Sequence, residues 1–143
     1  MNMKEKVVVS RLMTKNLVVA SLDSTFSQVI EFFTKFNAHH LPVTFDNKLI
    51  GVLSSNDVIQ FVKKSIESGE SFDAKKLDET FHVKDIMTHD VVSLHPDDTI
   101  EKAVEILAVN KFQSLPVVKD GLIFGLVTNK DLVQGFKWYF DNE

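Results

Sequence analysis

Two short stretches hold the residue types whose spacing could do chemistry. Gly51-Val52-Leu53-Ser54-Ser55-Asn56-Asp57 and Gly125-Leu126-Val127-Thr128-Asn129-Lys130-Asp131 each place a hydroxyl three positions before a carboxylate. In both, an apolar run turns abruptly polar and then apolar again, which reads as a buried strand entering a helix with a polar first turn. Such a junction offers free backbone N–H groups and the positive end of a helix dipole, and so suits an anion. The Ser or Thr hydroxyl adds a donor for a phosphate. The aspartate would repel a phosphate but accepts hydrogen bonds from a vicinal diol such as a ribose. Together these groups ask for a nucleotide. The same spacing also fits a capping box, in which hydroxyl and carboxylate satisfy the amides of their own helix. A single copy is open to either reading; a repeated one weighs toward a ligand.

The elements that must position these residues repeat too. Met13-Thr14 recurs as Met87-Thr88, an offset of 74 (87 − 13), and that offset carries Thr25 to Thr99, Leu41-Pro42-Val43 to Leu115-Pro116-Val117 and Asp46 to Asp120 without a gap. It also carries Gly51 to Gly125 and Asp57 to Asp131. Each copy reads as strand, helix, strand, strand, helix, too small to bury its sheet alone, so two copies must share a core. In the first copy the pattern predicts a strand at Leu17-Val18-Val19 and a turn over Ser21 to Ser24. A helix follows from Thr25, whose spacing to Gln28 is that of a capping box, with Phe26, Val29, Ile30, Phe33 and Phe36 on one face. Leu41 to Thr44 reads as a strand with Pro42 confined to its first residues or an edge, Asp46-Asn47 as a turn, and Leu49 to Leu53 as the next strand. A helix from Asp57 to about Lys63 buries Val58, Ile59, Phe61 and Val62. In the second copy Asp97 and Asp98 open a helix that buries Ile100, Ala103, Val104 and Leu107, and Asp120-Gly121 makes the hairpin turn.

The segments around the repeats are less patterned. Val7-Val8-Val9 is apolar and packs on the domain as strand or helix. Lys64 to Phe81 is dominated by Ser, Glu, Asp and Lys and reads as a solvated linker with a little helix at its end. Gly135-Phe136-Lys137-Trp138-Tyr139-Phe140 is aromatic enough to cap the core or to supply a dimer contact.

Composition excludes several functions. The 143 residues carry a net charge of −4, and Arg11 stands alone among lysines scattered between more numerous acids, so no basic face exists for nucleic acid. With no cysteine there are no disulfides, no thiol nucleophile and none of the usual structural-zinc thiolates. No apolar run approaches the ~20 residues of a membrane span, and a soluble cytoplasmic protein is expected. Adjacent His39 and His40 make a poor metal pair, because neighbours on a strand point to opposite faces. No nucleophile with a base, no carboxylate pair and no Gly-rich phosphate loop appears, so no catalytic residue and no metal site is assigned.

The order Met-Thr, polar helix start, Leu-Pro-Val, then Gly, two residues, Ser/Thr, two residues and Asp resembles the CBS domain, here as a stand-alone tandem pair (a Bateman module). The resemblance covers residues 7–63 and 81–137, with 64–80 as polar linker and 138–143 as aromatic C-terminal tail. It implies an α+β fold of two β-α-β-β-α repeats packed sheet to sheet with pseudo-two-fold symmetry. It further implies a non-catalytic regulatory module that binds AMP, ADP, ATP or S-adenosylmethionine in two clefts, forms homodimers, needs no cofactor and signals to a separate protein target. The implied clefts are composite. One joins Thr128, Asp131, Lys130 and Leu126 to Ala20, Ser21, Phe26, Ala38, His39 and His40. The other joins Ser54, Asp57 and Val52 to Leu94, His95, Ile100, Phe112, Gln113 and Ser114. With two histidines and a lysine, the Thr128/Asp131 cleft is expected to prefer phosphorylated nucleotides, to fill first with AMP and to bind more tightly as pH falls. The few basic groups favour AMP or ADP over ATP. A scaffold that keeps the fold without binding ligand is the alternative.

Overall fold

Two-residue turns fix both hairpins of the chain. In the computed structural model, which describes residues 7–36, 38–69, 72–109 and 113–142, Asp46 (φ 50°) with Asn47 (φ 65°) and Asp120 (φ 53°) with Gly121 (φ 80°) occupy the left-handed region. Positive φ at both central residues is the type I′ signature, whose twist matches that of the flanking strands. The chain divides into two compact units, one of residues 18–91 and one of residues 1–17 with 92–143. The segment leading into the first repeat therefore belongs to the unit built on the second.

In the unit of residues 18–91 the elements are β1 (Ala20–Ser21), α1 (Phe26–Lys35), β2 (His40–Phe45), β3 (Lys48–Ser54), α2 (Ser55–Glu67), α3 (Ala74–Thr80) and α4 (Val83–Ile86). β2 pairs with β3 antiparallel, Leu41 opposite Leu53, and with β1 parallel, Ala20 opposite Val43. The strand expected at Leu17-Val18-Val19 falls instead on the next two residues, because the buried partner that meets Val43 is Ala20. The Thr25/Gln28 capping box is present, the Gln28 N–H donating to Thr25 Oγ1 at 3.1 Å and the Thr25 N–H to Gln28 Oε1 at 2.9 Å. Of the face assigned to α1, Val29 is buried while Ile30 and Phe36 are exposed. Val58 on α2 is buried and Ile59 is 62% exposed, since a helix shows the sheet only one stripe.

The polar stretch after Lys63 is more structured than its composition suggests. Its first residues extend α2 to Glu67, and α3 buries Leu77 and sets Asp78 on the start of α1, taking hydrogen bonds from the Ser27 N–H (2.7 Å) and hydroxyl (2.9 Å). Phe81, just beyond, is buried in an aromatic trio with Phe26 and Phe61, ring centroids 5.1 to 5.8 Å apart.

The other unit has a 3₁₀ turn at Val9–Arg11, α5 (Ile100–Val109), β4 (Ser114–Lys119), β5 (Leu122–Thr128) and α6 (Asn129–Asp141). β4 and β5 pair antiparallel with the same register and the same irregularity one residue past Val117 that the first hairpin shows past Val43. The strand that would match β1 shrinks to one bridge, Leu94 to Val117. Val7, Val9, Leu94, Ala103, Leu115, Val117, Val127 and Leu132 form its core. Each stands 74 positions from a core residue of the first unit: Phe81, Val83, Ala20, Val29, Leu41, Val43, Leu53 and Val58. Val7-Val8-Val9 is thus the counterpart of the chain around Phe81 and Val83. The aromatic tail is the continuation of α6, with Gly135 buried against Leu12 and Tyr139 half-buried, while Trp138 and Phe140 are exposed.

The prolines of both Leu-Pro-Val runs are buried inside strands without breaking a ladder. Val52 and Leu126, opposite Pro42 and Pro116, give their N–H and C=O to Thr88 and Thr14 on their other side, so no bond toward the proline is wanted. The fold is α+β, and among the described residues no helix is long and apolar enough to cross a membrane.

Candidate functional site

The two repeated stretches fold into strand-to-helix corners, and both are complete capping boxes. At the first, Ser54 Oγ accepts from the Asp57 N–H at 3.1 Å and Asp57 Oδ2 accepts from the Ser54 N–H at 2.8 Å. The N–H of Ser55 donates to the carbonyl of His39 at 3.0 Å, tying the entrance of β2 to the start of α2. The local reason is stereochemical: Ser54 is extended (φ −100°, ψ 159°) at the last strand position, where its side chain turns back over the first turn.

His40 lies opposite Ser54 in the hairpin. Burial, then the neighbouring His39, hold its imidazole below the ordinary value of 6.5, with the Asp57 carboxylate pulling weakly the other way. His40 is therefore neutral at neutral pH, an acceptor or a single donor and not a cation. His39 is exposed, Ala38 half-buried.

At the second corner Thr128 Oγ1 accepts from the Asp131 N–H at 3.1 Å and Asp131 Oδ2 from the Thr128 N–H at 2.9 Å. The N–H of Asn129 donates to the Gln113 carbonyl at 3.4 Å. Here a further group enters. The Thr14 hydroxyl reaches both oxygens of Asp131, Oδ1 at 3.0 Å and Oδ2 at 3.2 Å. Among the described residues Thr88, the counterpart of Thr14, makes no such bond to Asp57.

Both threonines are brought to the corners by backbone pairing. Thr14 exchanges bonds with Leu126 (2.7 and 3.0 Å) and Thr88 with Val52 (3.1 and 2.9 Å). This approach requires the glycine that opens each motif. A Cβ at Gly125 would stand 2.7 Å from Met13 Sδ and 2.9 Å from the Thr14 carbonyl, and one at Gly51 would stand 2.6 Å from Met87 Sδ and 2.8 Å from the Thr88 carbonyl. Thr14 was not among the residues singled out for chemistry; the signal was the repeated Met-Thr at the common offset.

The remaining expected residues divide between the units. Beside the first corner's unit fall Val52, half-buried, Ala20, buried in the core, and Ser21, exposed and bonded to Ser24. Phe26 belongs to the aromatic trio. Leu94 and Ile100 are core residues of the other unit, as is Leu126, while Ser114 is buried and Gln113 exposed. Lys130 is exposed, with no ion pair among the described residues. His95 is engaged locally: its N–H donates to Asp98 Oδ2 at 2.7 Å and its Nδ1 accepts from the Asp97 N–H at 3.1 Å. That backbone N–H is the main reason the Asp98 carboxyl lies below the usual range, with Lys102 adding to it. Phe112 lies outside the described residues. Among the described residues no group of three His, Asp or Glu could hold a metal ion.

A model of the CBS domain matches residues 9–64 and 83–137. An inosine-5′-monophosphate dehydrogenase of Methanocaldococcus jannaschii is 31% identical over 126 residues, which are 87% of this chain and 22% of that protein. The uncharacterized protein MJ1426 of the same organism is 26% identical over 158 residues, 94% of each. The chain spans between 22% and 48% of the first two curated relatives it matches. Among solved structures, CBSX2 in complex with AMP is 26% identical with a TM-score of 0.77, covering 92% of this chain and 97% of that one. MJ1225 of M. jannaschii is 25% identical with a TM-score of 0.80, covering 93% of this chain and 49% of that one. Two in-register corners, each framed by its own hairpin, and a family match to both copies lead to one conclusion: the chain belongs to the CBS domain family, as a tandem pair.

Proposed function

We propose that this chain is a regulatory module that binds an adenosine-containing ligand, AMP or ADP first, at its strand-to-helix corners. The observation that carries the proposal is how little the caps consume. Each hydroxyl serves its helix as an acceptor, which leaves its O–H free to donate to a phosphate. Asp57 gives its helix one oxygen, Oδ2, and Oδ1 remains for a ribose diol. Capping and ligand binding are therefore compatible, and the helix dipole adds an attraction for the phosphate. The AMP complex of CBSX2, similar along nearly its whole length, supports the same ligand class here. In this reading Ser54 and Thr128 meet the phosphate, Asp57 and Asp131 the diol, and Val52 and Leu126 flank the base. Ala20, Ser21, Ala38, His39, His40, His95, Phe112, Gln113 and Lys130 supply the remaining contacts.

An effector acts only through differential affinity for two states, so binding must be read out by a partner, a second copy or a separate protein. The exposed Trp138 and Phe140 on α6 are suited to such a contact. One observation favours the rival reading, a scaffold without ligand: both corners are satisfied by their own helices. Urea unfolding with and without AMP separates the two. Ligand at 100 times its Kd adds about 2.7 kcal/mol to the unfolding free energy, whereas a midpoint unmoved by AMP, ADP, ATP and S-adenosylmethionine leaves the scaffold.

A further inference from the structure

The two carboxylates differ in what they have left to give. A carboxylate offers two oxygens and about four lone-pair directions. Asp57 spends one on the Ser54 N–H, and both directions of Oδ1 stay open for the two hydroxyls of a diol. Asp131 spends Oδ2 on the Thr128 N–H and shares both oxygens with the Thr14 hydroxyl, so Oδ1 is already engaged at 3.0 Å. A diol arriving at Asp131 meets a competitor that its counterpart corner lacks.

We infer that Thr14 is a specificity-determining residue that competes with the ligand's vicinal diol for Asp131, so that the Ser54/Asp57 corner fills first. This rests on the proposed function and reverses the order expected from the sequence, which counted His39 and His40 toward Asp131. In the structure His40 stands opposite Ser54 and feels the charge of Asp57. The competing hydroxyl sits on the leading segment, six positions along from the half-buried Val8 that bridges to Thr99, on a residue whose backbone N–H and C=O both pair with Leu126. Occupation of the Asp131 corner therefore releases one of the side-chain ties of that segment.

Calorimetric titration of AMP tests this on the full chain. Asp57→Asn keeps a capping oxygen and removes the second acceptor, leaving the Asp131 corner to be read alone. Adding Thr14→Val, which is isosteric and keeps the backbone pairing, is expected to tighten AMP binding about tenfold, the scale of one hydrogen bond to a charged group. Thr14→Ser keeps the hydroxyl and leaves the affinity as it was. In the mirror experiment, Thr88→Val on Asp131→Asn changes nothing. Unchanged or weaker binding on Thr14→Val overturns the inference, since a merely structural role for Thr14 would loosen the corner. Equal tightening on Thr88→Val overturns it as well. If the unmodified chain binds no adenosine ligand, the proposed function itself falls and takes this inference with it.

Discussion

The corner at Ser54 and the corner at Thr128 share a cap to within 0.1 Å, and they differ in the side chains set beside it. The first has a half-buried histidine opposite its hydroxyl; the second has Ser114 at that position, 74 residues on. The second has its aspartate held by Thr14, whereas among the described residues Thr88 makes no bond to Asp57. Away from the corners the units diverge again. Phe26, Phe61 and Phe81 fill the helix face of one. Their counterparts in the other are Ile100, Gly135 and Val7, and a groove of about 540 Å³ lies there among Val7, Ile100, Val104, Phe136 and Tyr139. Duplication has kept the frame that sets the cap and let the side chains around it drift.

The aromatic trio gives the largest contrast. Phe81→Ala removes a buried ring with two edge-on partners and should cost about 3–5 kcal/mol, within the range for buried phenylalanines. Val7→Ala, at the matching position beside the groove, should cost clearly less, and urea unfolding of the two variants reads the difference. Equal costs would mean that Val7 is packed as tightly as Phe81 in spite of the groove beside it.

The shared frame predicts the next effect. Gly51→Ala and Gly125→Ala each push a methyl group onto a methionine sulfur and a backbone carbonyl, and each should destabilise by about 1–3 kcal/mol, the usual cost of overpacking. Trimming the flexible partner with Met87→Ala should recover only part of the loss at Gly51, because the Thr88 carbonyl remains.

The smallest effect is one of pH and belongs to one unit alone. His40 has a folded pKa below its unfolded value, so the unfolded state takes up its proton first as pH falls. Its contribution to stability is complete above the ordinary 6.5 and is lost as pH drops from there toward the lower folded value. The urea midpoint should decline as pH falls below the ordinary 6.5, and His40→Ser, which copies the second unit, should flatten that decline. A decline of the same depth in the variant would assign it to other groups.

Much of this frame was legible in the residues. The offset of 74 located both hairpins, both caps and most of the core, since apolar period and turn chemistry are local signals. Asp46-Asn47 and Asp120-Gly121 announced their turns because few residues accept positive φ twice in succession. The strand at Ala20 was misplaced by its neighbours, Val18 and Val19 being the better strand formers; pairing with Val43 decided it. α3 shows in the sequence only as a little helix at the end of a solvated linker, and its docking stays hidden because composition is a poor guide where one buried leucine and one acid bonded to Ser27 do that work. Thr14 escaped for a different reason: its bond to Asp131 spans 117 residues, and only pairing with Leu126 reveals it. The same holds for His40, whose neighbour Asp57 is set by hairpin register.

The claim that these corners exist to hold an adenosine ligand is tested most directly by a crystal structure grown with saturating AMP. The ribose hydroxyls should lie about 2.6–2.8 Å from Asp57 Oδ1, with Ser54 Oγ donating to the phosphate and the cap intact. Solvent alone at both corners, each aspartate bound as it is without ligand, would contradict the account and leave a CBS pair that works by its fold.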